Sequence, residues 1–203
     1  MEIRIAQPHE SADFARLVLF SGPRLLPALF GPRVEDLLRF LFTRPNNLFS
    51  FEHVRFALAN ERIIGVALAM DAHTYNREGP GTAAGMLRFL KGGFLPLFFR
   101  LLRIYRMSHT ITTGQYYLSC LAVAPEFRGK GIGKNLLDVF EHEGRALGMG
   151  ETALDVEVDN RNARRFYLRE GYEFRKEGPS VLLGGQRFQF IRMVKKVHGL
   201  SRS

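Results

Sequence analysis

The first half of the chain is a succession of short segments whose apolar residues recur at strand or helix spacing. These segments are 3–6 (edge strand), 10–20 and 33–42 (amphipathic helices), and 54–60 and 62–70 (strands). The last two meet around Asn60-Glu61, which predicts a hairpin. Strand, two helices and hairpin therefore form the predicted first half, with Gly-Pro pairs as helix boundaries.

A strand, a glycine-rich loop and a helix follow one another in the second half. The apolar run is YYLSCLAVA (116–124), the loop is RGKGIG (128–133), and the helix covers 134–147. Glycines let the main chain approach an anion closely, and the N–H groups at a helix start point toward it. Positive charge comes from Arg128, Lys130 and Lys134. This order predicts a pyrophosphate-binding loop.

Two other phosphate-binding loops do not fit this stretch. A P-loop carries Ser or Thr after its Gly-Lys pair to hold magnesium, and RGKGIG has neither. A dinucleotide loop reads G-x-G-x-x-G and needs an acidic residue at the end of a strand about twenty residues on. Here the spacing is G-x-G-x-G, and Asp155 and Glu157 fall within the next strand pattern.

A second strand-helix-strand unit follows the loop and its helix. TALDVEV (152–158) alternates apolar and polar residues like a half-buried strand. NARRFYLREG (162–171) is typical of a short helix, with Asn162 as the predicted N-cap and Gly171 just past its end. GYEFRKEG then predicts a further strand.

These motifs together resemble the GNAT family of N-acetyltransferases. The family's acetyl-CoA loop reads Arg/Gln-x-x-Gly-x-Gly/Ala, and Arg128, Gly131 and Gly133 fill those places. Downstream, the Asn-x-x-Ala-x-x-x-Tyr helix and the Gly-Tyr strand follow the family order. The resemblance implies an α/β (α+β) fold, with a central mixed, mostly antiparallel, twisted sheet flanked by helices. Because the sequence shows no internal repeat and no low-complexity linker, we expect one domain over 1–203, with a helical insertion at about 72–113 between the third and fourth strands.

The resemblance implies a set of residues that would bind acetyl-CoA. They are Leu121, Ala122, Val123, Arg128, Gly129, Lys130, Gly131, Ile132, Gly133, Lys134, Asn160 and Asn162. In the family the fourth and fifth strands splay apart at a bulge. Main-chain groups of the fourth strand then bind pantetheine and polarise the acetyl oxygen, while the loop takes the pyrophosphate.

Two side chains are candidates for proton transfer. Tyr167 matches the tyrosine that protonates the departing thiolate in many family members, and its alternative role is packing beside Phe166. Glu157 is the best-placed carboxylate for a general base, although a solvated strand face is an equal alternative. Tyr117 and Ser119 could instead hold a water that removes the proton.

Composition and charge limit where the protein is expected to be located and what it is expected to bind. The chain has 203 residues, a net charge of +9 and one cysteine, Cys120, which fits a buried thiol in a cytoplasmic protein. The N-terminus predicts no signal peptide, and no uncharged apolar run has the length of a membrane span. The basic residues are scattered and the histidines lack metal-ligand spacing, so neither nucleic-acid binding nor a metal site is expected.

The predicted insertion departs from the family pattern. Residues 81–107 are typical of two helices broken at Gly92-Gly93, and Arg100, Arg103 and Arg106 lie on one side of the second. Three interpretations are open: packing on the domain or on a second subunit, a roof over the acceptor site, or contact with an anionic membrane surface.

The predicted function is transfer of acetyl from acetyl-CoA to a primary amine of a small molecule or peptide, by direct attack in a ternary complex. The aromatic, basic insertion favours an acidic or apolar acceptor over a polyamine. The alternatives are a non-catalytic CoA-binding module and a membrane-associated enzyme that uses longer acyl chains. A homodimer is possible.

Overall fold

The computed structural model describes residues 1–91 and 110–197. Its helices are α1 (Ser11–Ser21), α2 (Leu25–Phe30), α3 (Val34–Phe42), α4 (Ala72–Leu90), α5 (Ile132–Ala146) and α6 (Arg161–Arg169). Its strands are β1 (Glu2–Ile5), β2 (Val54–Ala59), β3 (Arg62–Asp71), β4 (Gln115–Val123), β5 (Glu151–Glu157), β6 (Glu173–Glu177), β7 (Val181–Leu183), β8 (Gln186–Phe188) and β9 (Phe190–Lys196).

A seven-stranded mixed sheet forms the centre of the fold, in the order β1-β2-β3-β4-β5-β9-β6. Only the β4–β5 pair is parallel among these neighbours. The predicted fold class, with a mostly antiparallel sheet between helices, is confirmed. The predicted hairpin is β2–β3, and it turns at Asn60 and Glu61, both with positive φ.

The sheet opens between its two parallel strands. Pairing of β4 with β5 starts at Gln115–Glu151 and ends at Leu118–Leu154, although both strands continue. On the other side of β4, pairing with β3 shifts register, because Leu68 faces Cys120 while Ala69 faces Leu118. Ser119 is the extra residue, so a β-bulge lies at the point where the strands part.

The bulge also changes which face of the sheet each residue of β4 occupies. Before it, Tyr116 and Leu118 pack in the core beneath α5. After it, Cys120 and Ala122 pack in the other core, beneath α1 and α3. Side chains in a regular strand alternate with a period of two, so one inserted residue exchanges the two faces.

Some elements differ from the sequence-based expectation. Helix α4 begins at Ala72, well before the predicted start at 81, because the Asp71 carboxylate caps it by accepting from the Thr74 N–H at 2.7 Å. The short helix α2 and the β7–β8 hairpin were not predicted. The predicted second helix of the insertion, with its three arginines, lies outside the described residues. In the described ranges, no helix has the length and apolarity needed to cross a membrane.

Candidate active site

A cavity of about 640 Å³ occupies the opening between β4 and β5. It is lined by Phe20, Ser21, Leu121, Ala122, Val123, Phe127, Arg128, Gly129, Gly131, Ile132, Gly133, Lys134, Asn160, Asn162, Ala163, Phe166, Tyr167, Arg169 and Glu170. Nearly all of the residues predicted to bind acetyl-CoA are in this lining. The exception is Lys130, which lies over the Phe127 ring, 5.1 Å from its centroid.

The glycine loop brings free main-chain donors to one end of the cavity. Gly129 and Gly131 have φ of 75° and 79°, and Gly131 is the N-cap of α5. The Asn135 N–H donates to the Gly131 carbonyl at 3.0 Å, closing the first turn. The N–H groups of residues 132–134 therefore have no acceptor within the helix. Together with the helix dipole they form an anion site.

Two basic side chains at the loop, Arg128 and Lys134, already form hydrogen bonds within the protein. Arg128 Nε donates to the Val123 carbonyl at 3.1 Å, which ties the loop to the end of β4. Lys134 Nζ donates to both oxygens of Asp138 at 2.8 Å and lies 3.7 Å from Glu170. The charge predicted for Lys134 is thus largely balanced by neighbouring carboxylates, and the main chain contributes most to the anion site.

The main chain of β4 presents alternate residues to the opening. The Ala124 N–H donates to the Ile64 carbonyl of β3 at 2.8 Å. Because hydrogen-bonded pairs alternate along an antiparallel ladder, Ala122 also bonds toward β3. The N–H and carbonyl groups of Leu121 and Val123 therefore face the opening. Of the three predicted positions, only these two offer main-chain groups there.

Helix α6 closes the other wall of the cavity. Its cap is Asn160, whose Oδ1 accepts from the Ala163 N–H at 3.1 Å. The predicted cap, Asn162, is wrong: Asn162 lies in the first turn, where its Oδ1 accepts from Arg165 at 3.4 Å. Both asparagines line the cavity. Gly171, with φ of 86°, ends the helix region as predicted.

Tyr167 is the buried residue of α6 that lines the cavity. The side chain is 8% exposed and packs edge-on to Phe166 and Tyr172. Burial raises the pKa of Tyr167 above its usual value, and the neighbouring Cys120 adds to this shift. The phenol is therefore protonated at neutral pH. No protein group in the described ranges forms a hydrogen bond with its hydroxyl.

Tyr172, the next tyrosine along the chain, has a different environment. It is fully buried, and its hydroxyl donates to Thr152 Oγ1 at 3.1 Å. This bonded hydroxyl fits a structural role for Tyr172. Cys120 is likewise buried, and burial raises the pKa of its thiol to about 11, so it is an unreactive small side chain.

Glu157 lies at the end of β5 and lines neither this cavity nor the second one described below. Its Oε1 is buried and accepts no hydrogen bond from the described residues. The nearest cation is Arg24, with Nη1 at 3.8 Å from that oxygen. Burial raises the pKa of Glu157, Arg24 opposes the shift, and Asp159 adds to it.

A second, smaller cavity of about 200 Å³ lies on the α1–α2 side of the sheet. It is lined by Val18, Ser21, Leu25, Leu26, Leu29, Phe30, Phe49, Leu68, Tyr117, Ser119, Cys120, Asp155 and Phe190. Ser21 lines both cavities. The small cavity therefore reaches the opening of the sheet from the side opposite the glycine loop.

An ion pair in the small cavity was missed by sequence reasoning. Arg192 is 3% exposed and donates through Nε and Nη2 to the two oxygens of Asp155, each at 2.8 Å. The Tyr117 hydroxyl also donates to Asp155 Oδ2, at 3.2 Å. Alternation within β5 predicted Asp155 on a solvated face. No local signal shows that an arginine from the distant β9 would pair with it.

Comparison with known proteins assigns the chain to a family. The model of the acetyltransferase (GNAT) family matches residues 31–172. The chain therefore belongs to the GNAT family of acetyltransferases, as the loop and the downstream helix indicated.

Individual relatives agree with the family. The chain is 47% identical over 53 residues to the aminoalkylphosphonate N-acetyltransferase of Salmonella typhimurium, covering 26% of this chain and 34% of that protein. It is 35% identical over 88 residues to N-alpha-acetyltransferase 30 of Schizosaccharomyces pombe, covering 41% and 56%. The matches span between about a third and a little over half of these relatives. A crystal structure of an acetyltransferase shares the fold, with a TM-score of 0.70 and 24% identity over 98% of this chain and 100% of that one.

Proposed function

We propose that this protein is an acetyl-CoA-dependent N-acetyltransferase that acetylates a primary amine of a small molecule or peptide in a ternary complex. The observation that carries the proposal is a single cavity that combines an anion site, an open strand edge and a protonated phenol. The names of two relatives support amine acetylation, one with an aminoalkylphosphonate and one at an N-alpha position.

The cavity fits the chemistry of coenzyme A, which the family generally uses in acetylated form. The N–H groups of 132–134 would bind the pyrophosphate. A Cβ added at Gly133 would be in ordinary contact with the side chains of Phe166 and Val123, at 3.7 and 3.8 Å, and both of these residues line the cavity. The open main-chain edge at Leu121 and Val123 would pair with the amides of pantetheine, as an added strand does. When bound, acetyl-CoA supplies an activated acetyl thioester.

The chain's own groups would then act on the reacting atoms. A main-chain N–H of β4 facing the opening would donate to the acetyl oxygen and stabilise negative charge there. The Tyr167 hydroxyl would donate its proton to the departing sulfur. A phenol with no protein partner in the described ranges is free to make this hydrogen bond. Burial raises the pKa of the Tyr167 phenol above its usual value near 10, so the phenol is protonated and has a proton to donate.

Glu157 remains the proposed general base, and because it lines neither cavity it would accept the proton through an intervening water. A carboxyl group that is buried without a hydrogen bond holds its proton more tightly. Its raised pKa is therefore closer to the pKa of the amine from which it must take a proton. As a base it acts only when ionised. Activity should therefore fall as the pH drops through the pKa of Glu157, which lies above the usual value of about 4.3.

Replacing Glu157 by Gln should remove this acid limb and lower the plateau of kcat/KM by about tenfold, because water can still accept the proton. The measurement is a pH profile of kcat/KM for both proteins. Glu151→Gln, at the other end of the same strand, should keep the wild-type profile. An unchanged acid limb in Glu157→Gln would assign the base to another group, such as water held by Tyr117 and Ser119.

The test of the proposed function has two readouts. Calorimetry should show saturable acetyl-CoA binding, and a thiol-release assay over a panel of primary amines should show amine-dependent CoA production. Binding without turnover for every amine and peptide would favour the non-catalytic CoA-binding module. Faster turnover with longer acyl-CoA esters would favour the alternative acyltransferase. A cytoplasmic location and a homodimer stay predictions.

A further inference from the structure

The small cavity lies where an acceptor would approach the acetyl group. It shares Ser21 with the large cavity. It is also bordered by Ser119 and Cys120, which directly precede the β4 residues of the large cavity. The two cavities thus meet at the bulge, one on each side of the opened sheet. A molecule in the small cavity can present an amine at this meeting point.

Most of the lining of the small cavity is apolar. The apolar side chains come from α1, α2, β3, β9 and the segment after α3, and they are Val18, Leu25, Leu26, Leu29, Phe30, Phe49, Leu68 and Phe190. Pockets for drug-sized ligands measure about 300–1,000 Å³, so about 200 Å³ fits only a compact group. Size and lining therefore suit one small aryl or branched alkyl group.

The negative charge in the lining of the small cavity is already neutralised by a buried arginine. Asp155 is the carboxylate in the lining, and both of its oxygens accept from the buried Arg192. A second ammonium on the acceptor would have to compete with this bidentate guanidinium. An anionic group would likewise compete with the carboxylate for Arg192. Burying either charge without a partner costs more than burying an apolar group.

We infer that the acceptor is a primary monoamine that carries one compact apolar group, with the amine at the bulge and the apolar group among α2 and Phe49. This inference rests on the proposed acetyltransferase function and names its substrate class. The acceptor's single charge is then lost on acetylation.

Three amines with a common aminoethyl unit test the inference. They are 2-phenylethylamine, β-alanine and 1,2-diaminoethane, which attach an aryl, an anionic and a cationic group respectively. Binding is measured by calorimetry with saturating CoA, so that no turnover occurs. Burial of the phenyl group should make 2-phenylethylamine bind at least about tenfold more tightly than the other two.

A variant pair locates the binding site. Leu26 is half-buried in the lining and lies in the first turn of α2, where an acidic residue is compatible with the helix. Leu26→Asp should weaken 2-phenylethylamine binding at least about tenfold and improve 1,2-diaminoethane binding. Leu26→Asn, of similar size but uncharged, should leave 1,2-diaminoethane binding unchanged. Far-ultraviolet circular dichroism confirms that both variants fold.

The outcomes separate this inference from the proposed function. Equal or tighter binding of β-alanine or 1,2-diaminoethane overturns the inference, as does the absence of saturable 2-phenylethylamine binding. It is also overturned if Leu26→Asp leaves the order of affinities unchanged. If the amines bind as expected but none is acetylated from acetyl-CoA, the cavity assignment holds and the proposed function fails.

Discussion

Replacing Tyr167 by Phe should lower kcat by about 10²–10³-fold, while the Kd for acetyl-CoA changes by less than about twofold. The substitution removes only the hydroxyl, and the ring keeps its contacts with Phe166 and Tyr172. Since no protein group in the described ranges bonds to this hydroxyl, the folded state loses little. The departing sulfur, in contrast, loses its proton donor. Steady-state kinetics and calorimetry on the same preparation separate the two effects.

Tyr172→Phe is the matched control for this prediction. Its hydroxyl bonds to Thr152 Oγ1 inside the core, so the variant should lose about 1 kcal/mol of unfolding free energy and keep wild-type kcat. The two tyrosine variants should therefore show opposite patterns of stability and turnover. Wild-type kcat in Tyr167→Phe would show that Tyr167 has a packing role and that solvent protonates the thiolate.

Replacing Gly133 by Glu should raise the Kd for acetyl-CoA by at least about 100-fold. Position 133 is in the first turn of α5, and an added Cβ there meets Phe166 and Val123 only at ordinary contact distances. The backbone can therefore keep its conformation, while the new carboxylate occupies and repels the site of the pyrophosphate. Gly131 is less suitable for this test, because its φ of 79° would strain any other residue.

Gly150→Glu controls for the added charge. Gly150 follows the far end of α5 and is exposed, and a Cβ added there would meet no atom of the described residues within 4 Å. The position should therefore tolerate glutamate. Calorimetry of both variants should show lost binding only for Gly133→Glu. Wild-type affinity in Gly133→Glu, with a folded protein by circular dichroism, would place the pyrophosphate elsewhere.

Local patterns allowed much of the fold and one half of the site to be predicted. Glycine spacing and helical periodicity are encoded within a few residues, so the strand, the loop and helix α5 could be predicted with the residues that now line the large cavity. The cap of α6 was misplaced because Asn160 and Asn162 are both good capping residues. Only the hydrogen bond from the Ala163 N–H to Asn160 distinguishes them.

The small cavity depends on contacts between distant parts of the chain and was not predicted. Asp155 and Arg192 lie on neighbouring antiparallel strands that are far apart in sequence. Alternation shows that a residue lies on one face of a strand, but not what packs on that face. Helix α2 is short and contains Pro27, so its periodicity is too brief to be recognised.

The bulge at Ser119 lets one strand supply side chains to two separate cores. Even-numbered residues of β4 after the bulge point to the core beneath α1 and α3, and odd-numbered ones point beneath α5. A substitution in the even-numbered set changes the core beneath α1 and α3, and one in the odd-numbered set changes the core beneath α5. Helix α2 contributes to the lining of the small cavity and not to that of the large one, so substitutions in α2 can reshape the small cavity and leave the large one in place. A single-residue deletion at 119 would remove the bulge but leave the other residues of β4 opposite the same β3 partners and on the same faces.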